Sequence, residues 1–180
     1  MATWLTLSPE TLVDTDDERY RQKISRFLVE ERGFKKSDLE VRRKIETLFG
    51  GQFVVSHIEA VIMITGRRLV VVRYGPGSLV TRERPAVAAA RVLDQDYIIP
   101  LAIVTNGEDA EILDTITGKV IGQGIDAFPD RQQLLELAET DPVPGLMGDR
   151  REKELRILNA FDIEVCCVGG PCALPDAPEG

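Results

Sequence analysis

Apolar residues recur along this chain first at helical spacing and then in alternation, and the switches between the two periods outline its elements. From Asp16 or Asp17 a helix is predicted, with acids in the first turn, where the helix dipole favours them, and with Tyr20, Ile24, Phe27 and Leu28 on one face. Gly33 is placed to end it. The run "DLEVRRKIE" (38–46) sets Leu39, Val41, Arg43 and Ile45 against Glu40, Arg42, Lys44 and Glu46, a strand period broken by one arginine. "FGGQ" (49–52) is a turn. The β-branched run "FVVSHIEAVIMIT" (53–65) and "LVVVRY" (69–74), joined through Gly66, Arg67 and Arg68, predict a largely buried antiparallel hairpin.

"GPG" (75–77) breaks the chain, and Thr81 is read as the cap of a helix with Pro85 in its first turn and "AVAAARVL" (86–93) as its body. "YIIPLAIVTNG" (97–107) reads as a central strand, and "AEILDTITGKVIG" (110–122) as a hairpin turning near Thr117 and Gly118. "DRQQLLELAE" (130–139) and "DRREKELRILNAF" (149–161) are helical, the second carrying Leu155, Leu158 and Phe161 at core spacing. The order is helix, three strands, helix, two strands, then two helices. It predicts an α/β sandwich around a mixed sheet, without internal repeat. The expected divisions are an arm over 1–14, a central α/β domain over 15–125, a helical extension over 126–163 and a cysteine-containing tail over 164–180.

Composition changes this picture little, since 43% hydrophobic and 29% charged residues are ordinary for a globular chain. No apolar run is long enough to span a membrane, no basic segment precedes the first apolar residues, and three cysteines make no disulfide framework. A cytoplasmic protein is expected. Charge is more informative. The net charge of −8 argues against a dedicated nucleic-acid binder, yet between Arg42 and Arg91 nine basic residues face three acidic ones. Arg67, Arg68, Arg73, Arg82, Arg84 and Arg91 are therefore candidate phosphate contacts, with solvated strand edges as the plainer account.

The αβββαβ order resembles the core of the restriction-endonuclease-like superfamily, whose motif is written PD-(D/E)XK. More narrowly, "ERYRQKISRFLVEERGFKKSDLEVRRKI" (18–45), "GRRLVVV" (66–72) and "IPLAIVTNGEDAEILD" (99–114) resemble segments of the type I restriction enzyme R-subunit N-terminal domain, over roughly 16–122. That resemblance implies a magnesium-dependent nuclease site. In it an Asp and a Glu on adjacent strands hold the ion, and a Lys two residues beyond the Glu orients the attacking water. Carried onto this chain, the Asp falls on Glu59, the Glu on Arg73 and the Lys on Gly75. The Gln and Tyr of the following helix fall on Ala89 and Leu93. Arginine opposes a metal ion and glycine offers no side chain, so the site is expected to be degenerate and to need no cofactor. Glu59 and Arg73 are expected to face one another as an ion pair.

No Glu-x-Lys or Asp-x-Lys occurs elsewhere in the chain. One alternative is a magnesium-dependent endonuclease rearranged around Glu18, Glu30 or Glu40 beside Glu59. Another is a dimeric interaction module using the tail, where Cys166, Cys167 and Cys172 form an incomplete zinc set. His57, the single histidine, has no partner motif and reads as a satisfied or surface side chain.

Overall fold

The computed structural model describes residues 16–166. The elements run α1 (Asp16–Glu30), β1 (Leu39–Phe49), β2 (Gln52–Ile64), β3 (Arg67–Tyr74), α2 (Val80–Val92), β4 (Leu101–Thr105), β5 (Ala110–Asp114), β6 (Val120–Gln123), α3 (Arg131–Ala138) and α4 (Gly148–Cys166). The six strands form one sheet in sequence order, with β3 and β4 parallel and every other neighbouring pair antiparallel. The parallel pair requires a crossover, and α2 supplies it. The result is a mixed α/β fold whose α1-β1-β2-β3-α2-β4 order is consistent with a restriction-endonuclease-like core.

The sheet separates two apolar layers. Under α2 and α4 lie Ile45, Ile58, Val61, Val71, Ala86 to Ala90, Val104 and Leu158. On the other face, under α1 and α3, lie Ile24, Leu28, Leu39, Ala60, Ile62, Val70, Val72, Ile112 and Leu134. β3 is buried on both faces, which is why its sequence reads as a continuous apolar run. Ala86, Ala88, Ala89 and Ala90 are small enough to bring α2 close onto the sheet.

The arginine that breaks the period of β1 marks a real irregularity. Leu39 packs on the α1 side and Ile45 on the α4 side, although both are odd-numbered. Ile58 and Ala60 divide between the layers in the same way. The β1–β2 register is unbroken across this point, so both strands change phase together. Arg42 absorbs the kink in the left-handed region, at φ 56°. That conformation costs a side-chain-bearing residue roughly 1–2 kcal/mol. Beyond the kink α4 covers one face of the hairpin, and Leu48 and Phe53, paired across it, stay exposed on the other.

Two expectations about α2 and β4 need correction. Thr81 does not cap α2. The helix starts two residues earlier, at Val80 after Leu79, without a side-chain cap, while the Thr81 hydroxyl donates to the carbonyl of Ser78 (3.3 Å), and Pro85 falls beyond the first turn. The strand expected from Tyr97 begins only at Leu101. Pro100 lacks the N–H a ladder needs, and Tyr97 turns aside to accept from the Arg68 backbone N–H (2.7 Å). α3 carries a reciprocal cap between Asp130 and Gln133.

Candidate functional site: the C-terminal end of β3

Alternation puts Arg73 and Gly75 on the sheet face covered by α2 and α4. Arg73 lies beside Val104 of β4, which lies beside Glu111 of β5. From α4 comes Asp162, whose Oδ1 accepts from Arg73 Nη2 at 2.8 Å, with the two side chains only 13% and 8% exposed. Strand alternation gives no sign of this carboxylate, because it arrives from a helix 89 positions away. The guanidinium sits in low dielectric, paired through Nη2 with a fixed anion, while its Nη1 takes no acceptor among the described residues. Magnesium does not fit here: the position needing a hard oxygen ligand carries a cation already matched to its own carboxylate.

Gly75 donates its N–H to the carbonyl of Thr105 (3.1 Å), extending the β3–β4 pairing by one residue. A side chain built at Gly75 would begin inside the guanidinium of Arg82. Arg82 reaches from the first turn of α2, donates to the carbonyl of Pro76 (3.0 Å) and fills that space. Ala89 is fully buried in the core and Leu93 packs at its margin, so the helix positions that would carry a polar pair serve packing.

Glu59 is half-buried on β2, in the irregular segment opposite Arg42, and it is engaged within the chain. Of the other carboxylates considered, Glu40 accepts from Arg68 (3.2 and 3.3 Å) and lies 3.6 Å from Arg43. Glu30 rims a cleft of about 380 Å³ between α1 and the β4–β5 turn, with Lys23, Phe27, Glu108 and Phe128. The Glu18 side chain, the Cys166 side chain, Cys167 and Cys172 lie outside the described residues. Among the described residues no three His, Cys, Asp or Glu side chains are grouped to hold a metal. His57 is exposed, opposite Lys44.

The six candidate phosphate-contacting arginines all have acceptors inside the chain. Arg67 donates to the carbonyls of Ala138 and Thr140 and stacks on Tyr97. Arg68 bridges Glu40 and Asp94 (3.0 Å), and Arg73 takes Asp162. Arg84 (2.8 Å) and Arg91 (2.9 Å) converge on Glu154 of α4, and Arg91 also donates to the carbonyls of Thr115 and Ile116. Burial alone would raise the Glu154 pKa, but the two guanidiniums outweigh it and hold the carboxyl below its ordinary value. Four of the six, Arg68, Arg73, Arg84 and Arg91, thus form a lattice of internal ion pairs, three of them with carboxylates of α4. Only Arg84, with 45% of its side chain exposed, turns much of its cation outward from that lattice.

The family model for the type I restriction enzyme R protein N terminus matches residues 16–129. The chain belongs to this family. No curated protein and no solved structure matches it. The match takes in every strand, α1 and α2, and stops before α3 and α4. α3 and α4 thus lie beyond the matched residues. Among the described residues no helix is long and apolar enough to cross a membrane.

Proposed function

We propose that this protein is a non-cleaving member of the type I restriction enzyme R-subunit N-terminal family, engaging nucleic acid or machinery working on it without hydrolysing phosphodiesters. The observation that carries this reading is the Arg73–Asp162 pair. A magnesium ion at the corresponding place would have to displace a buried guanidinium from its carboxylate and would leave Asp162 in its stead. Gly75 supplies no general-acid or water-orienting group, and the cation that occupies its side-chain space is tethered to Pro76.

Nucleic-acid contact on this reading is weak and competes with the internal ion pairs, because each arginine of the central segment would exchange an existing acceptor for a phosphate. The test is incubation of plasmid and single-stranded DNA with magnesium or manganese, beside fluorescence anisotropy of labelled DNA across a salt series. No cleavage, with affinity falling steeply as salt rises, is the expected result. Metal-dependent cleavage abolished by Glu59→Ala would replace this reading with a rearranged endonuclease. Absence of any DNA affinity, with a native mass well above 20 kDa, would point to the dimeric interaction module instead.

A further inference from the structure

Two strands over from Arg73 on the same sheet face, two carboxyl groups meet without a cation between them. Glu111, in the second position of β5, is 8% exposed. Its Oε1 accepts a long hydrogen bond from Gln123 Nε2 of β6 (3.4 Å), while its Oε2 is sealed from solvent and takes no hydrogen bond among the described residues. Glu83, in the first turn of α2, lies close enough for its carboxyl to interact with that of Glu111. Two carboxylates in such contact both accept and neither donates, so something positive belongs between them.

The surrounding cations do not supply it. Arg82 and Arg84 flank Glu83 in sequence, but Arg82 turns to the Pro76 carbonyl and Arg84 to Glu154. Arg73, across Val104 from Glu111, pairs through Nη2 with Asp162, and its Nη1 bonds to neither glutamate. Burial first, and then repulsion from and hydrogen bonding to Glu111, push the Glu83 pKa up, although a carboxylate in the first turn of a helix is otherwise favoured. A half-turn of the Gln123 amide would present its oxygen in place of its NH₂. β6 is an edge strand and Gln123 is exposed, so water and ions reach the pair from that side.

We propose that Glu83, Glu111 and the Gln123 side-chain oxygen form a binding site for a hard divalent cation of the magnesium, manganese or calcium class. The donor set is all oxygen, which selects those ions over zinc. Two carboxylates with several retained waters are the usual complement for magnesium. The site goes beyond the non-cleaving reading and does not depend on it. It lies on α2 and β5, not on the strands that carry Glu59 and Arg73. A bound ion would replace a shared proton as the link between α2 and the sheet.

The experiment is manganese titration of the full chain at pH 7.5, read by the loss of free-ion electron paramagnetic resonance signal and by isothermal calorimetry with manganese, magnesium and calcium. One ion per chain is expected. Glu111→Gln and Glu83→Gln should each weaken manganese binding roughly tenfold or more, and Gln123→Leu should weaken it less. Asp149→Asn, an exposed acid at the start of α4, should leave it unchanged. Both Glu→Gln variants remove a like-charge contact, so circular dichroism should show them folded. Gln123→Leu, at an exposed position, serves where either does not fold. No stoichiometric binding, or binding indifferent to all three substitutions, overturns the site and leaves a proton shared by the pair. Binding without cleavage leaves both proposals standing. Cleavage lost in Glu111→Gln would keep the site and sink the non-cleaving reading.

Discussion

Replacing Arg73 with methionine keeps the length of the aliphatic stem and removes the charge, so the loss can be read from the structure. Asp162 has 8% of its side chain exposed, and Arg73 Nη2 is its donor at 2.8 Å, while its second oxygen, Oδ2, is sealed without a partner among the described residues. Arg73→Met therefore strands a carboxylate in low dielectric. Removing one member of a buried pair costs about 3–5 kcal/mol, against about 0–1 kcal/mol for an exposed pair. For a chain of 180 residues that corresponds to a fall in Tm of roughly 6–20 °C. The assay is urea unfolding followed by circular dichroism for Arg73→Met, Asp162→Leu and the double variant. The double variant should recover most of the loss, because two apolar side chains of matching size leave no orphaned charge. A loss under about 1 kcal/mol in Arg73→Met, with simple additivity in the cycle, would refute the argument that this pair is buried and mutually dependent.

Three further outcomes follow from the same lattice. Glu154 is held below its ordinary pKa, so its contribution is present above that value and is lost as pH falls through the depressed one. Glu154→Gln should cost about 2–3 kcal/mol at pH 7 and flatten the acid limb of a stability–pH curve measured by thermal unfolding. Glu83 has the opposite sign: its pKa is raised, so its protonated form favours the fold and stability falls as pH rises through the raised value. In metal-free buffer Glu83→Gln should raise Tm at pH 7 and leave it unchanged at pH 4. Asn159 of α4 donates to Thr47 Oγ1 and to the Gln52 carbonyl (both 3.0 Å), so Asn159→Ala should cost about 1–3 kcal/mol and selectively speed amide hydrogen exchange in the distal part of the β1–β2 hairpin.

The fold was legible where local chemistry and burial agree. β3 and the body of α2 are apolar because both lie between layers, and α3 announces itself through Asp130 and Gln133. β4 was overdrawn at its start because Ile98 and Ile99 are core residues that are not part of a strand, and burial alone does not separate the two cases. The single arginine breaking the period of β1 was visible, but the paired change of phase in β2 was not. His57 and Glu59 sit in an ordinary β-branched run, and only register with Arg42 reveals the kink. At the site, Arg73 and Gly75 were singled out by the resemblance alone. The side chains that meet them, Asp162 and Arg82, could not be read from the sequence. Asp162 follows Phe161 on an amphipathic helix and looks like a solvated acid, and Arg82 looks like one more member of a basic run. What distinguishes them is which face each helix turns to the sheet, a property of packing and not of spacing.

That division has a physical consequence for how the R-subunit N-terminal domain works in this chain. The family match ends at residue 129, yet the anions neutralising Arg73, Arg84 and Arg91 are Asp162 and Glu154, both on α4. Were α4 to pack there without Asp162 and Glu154, Arg73 and Arg91 would be desolvated with no counter-charge from that helix, at a cost of several kcal/mol per ion. With α4 in place the same arginines are fixed, and the helix also contributes Leu158 to the core and Asn159 to the hairpin. The cation at position 73 and the acid at 162 therefore make sense only together. A domain of this family with a carboxylate at the first position would gain nothing from a buried acid facing it, since two like charges would meet there. The cation at position 73 and the carboxylates of α4 are two halves of one electrostatic arrangement. Placing a carboxylate there by Arg73→Glu alone should accordingly unfold α4 from the sheet instead of creating a metal site, as near-ultraviolet circular dichroism and protease sensitivity after residue 147 would show. Retained packing with new magnesium affinity in that variant would mean that α4 tolerates a metal-binding carboxylate at this position.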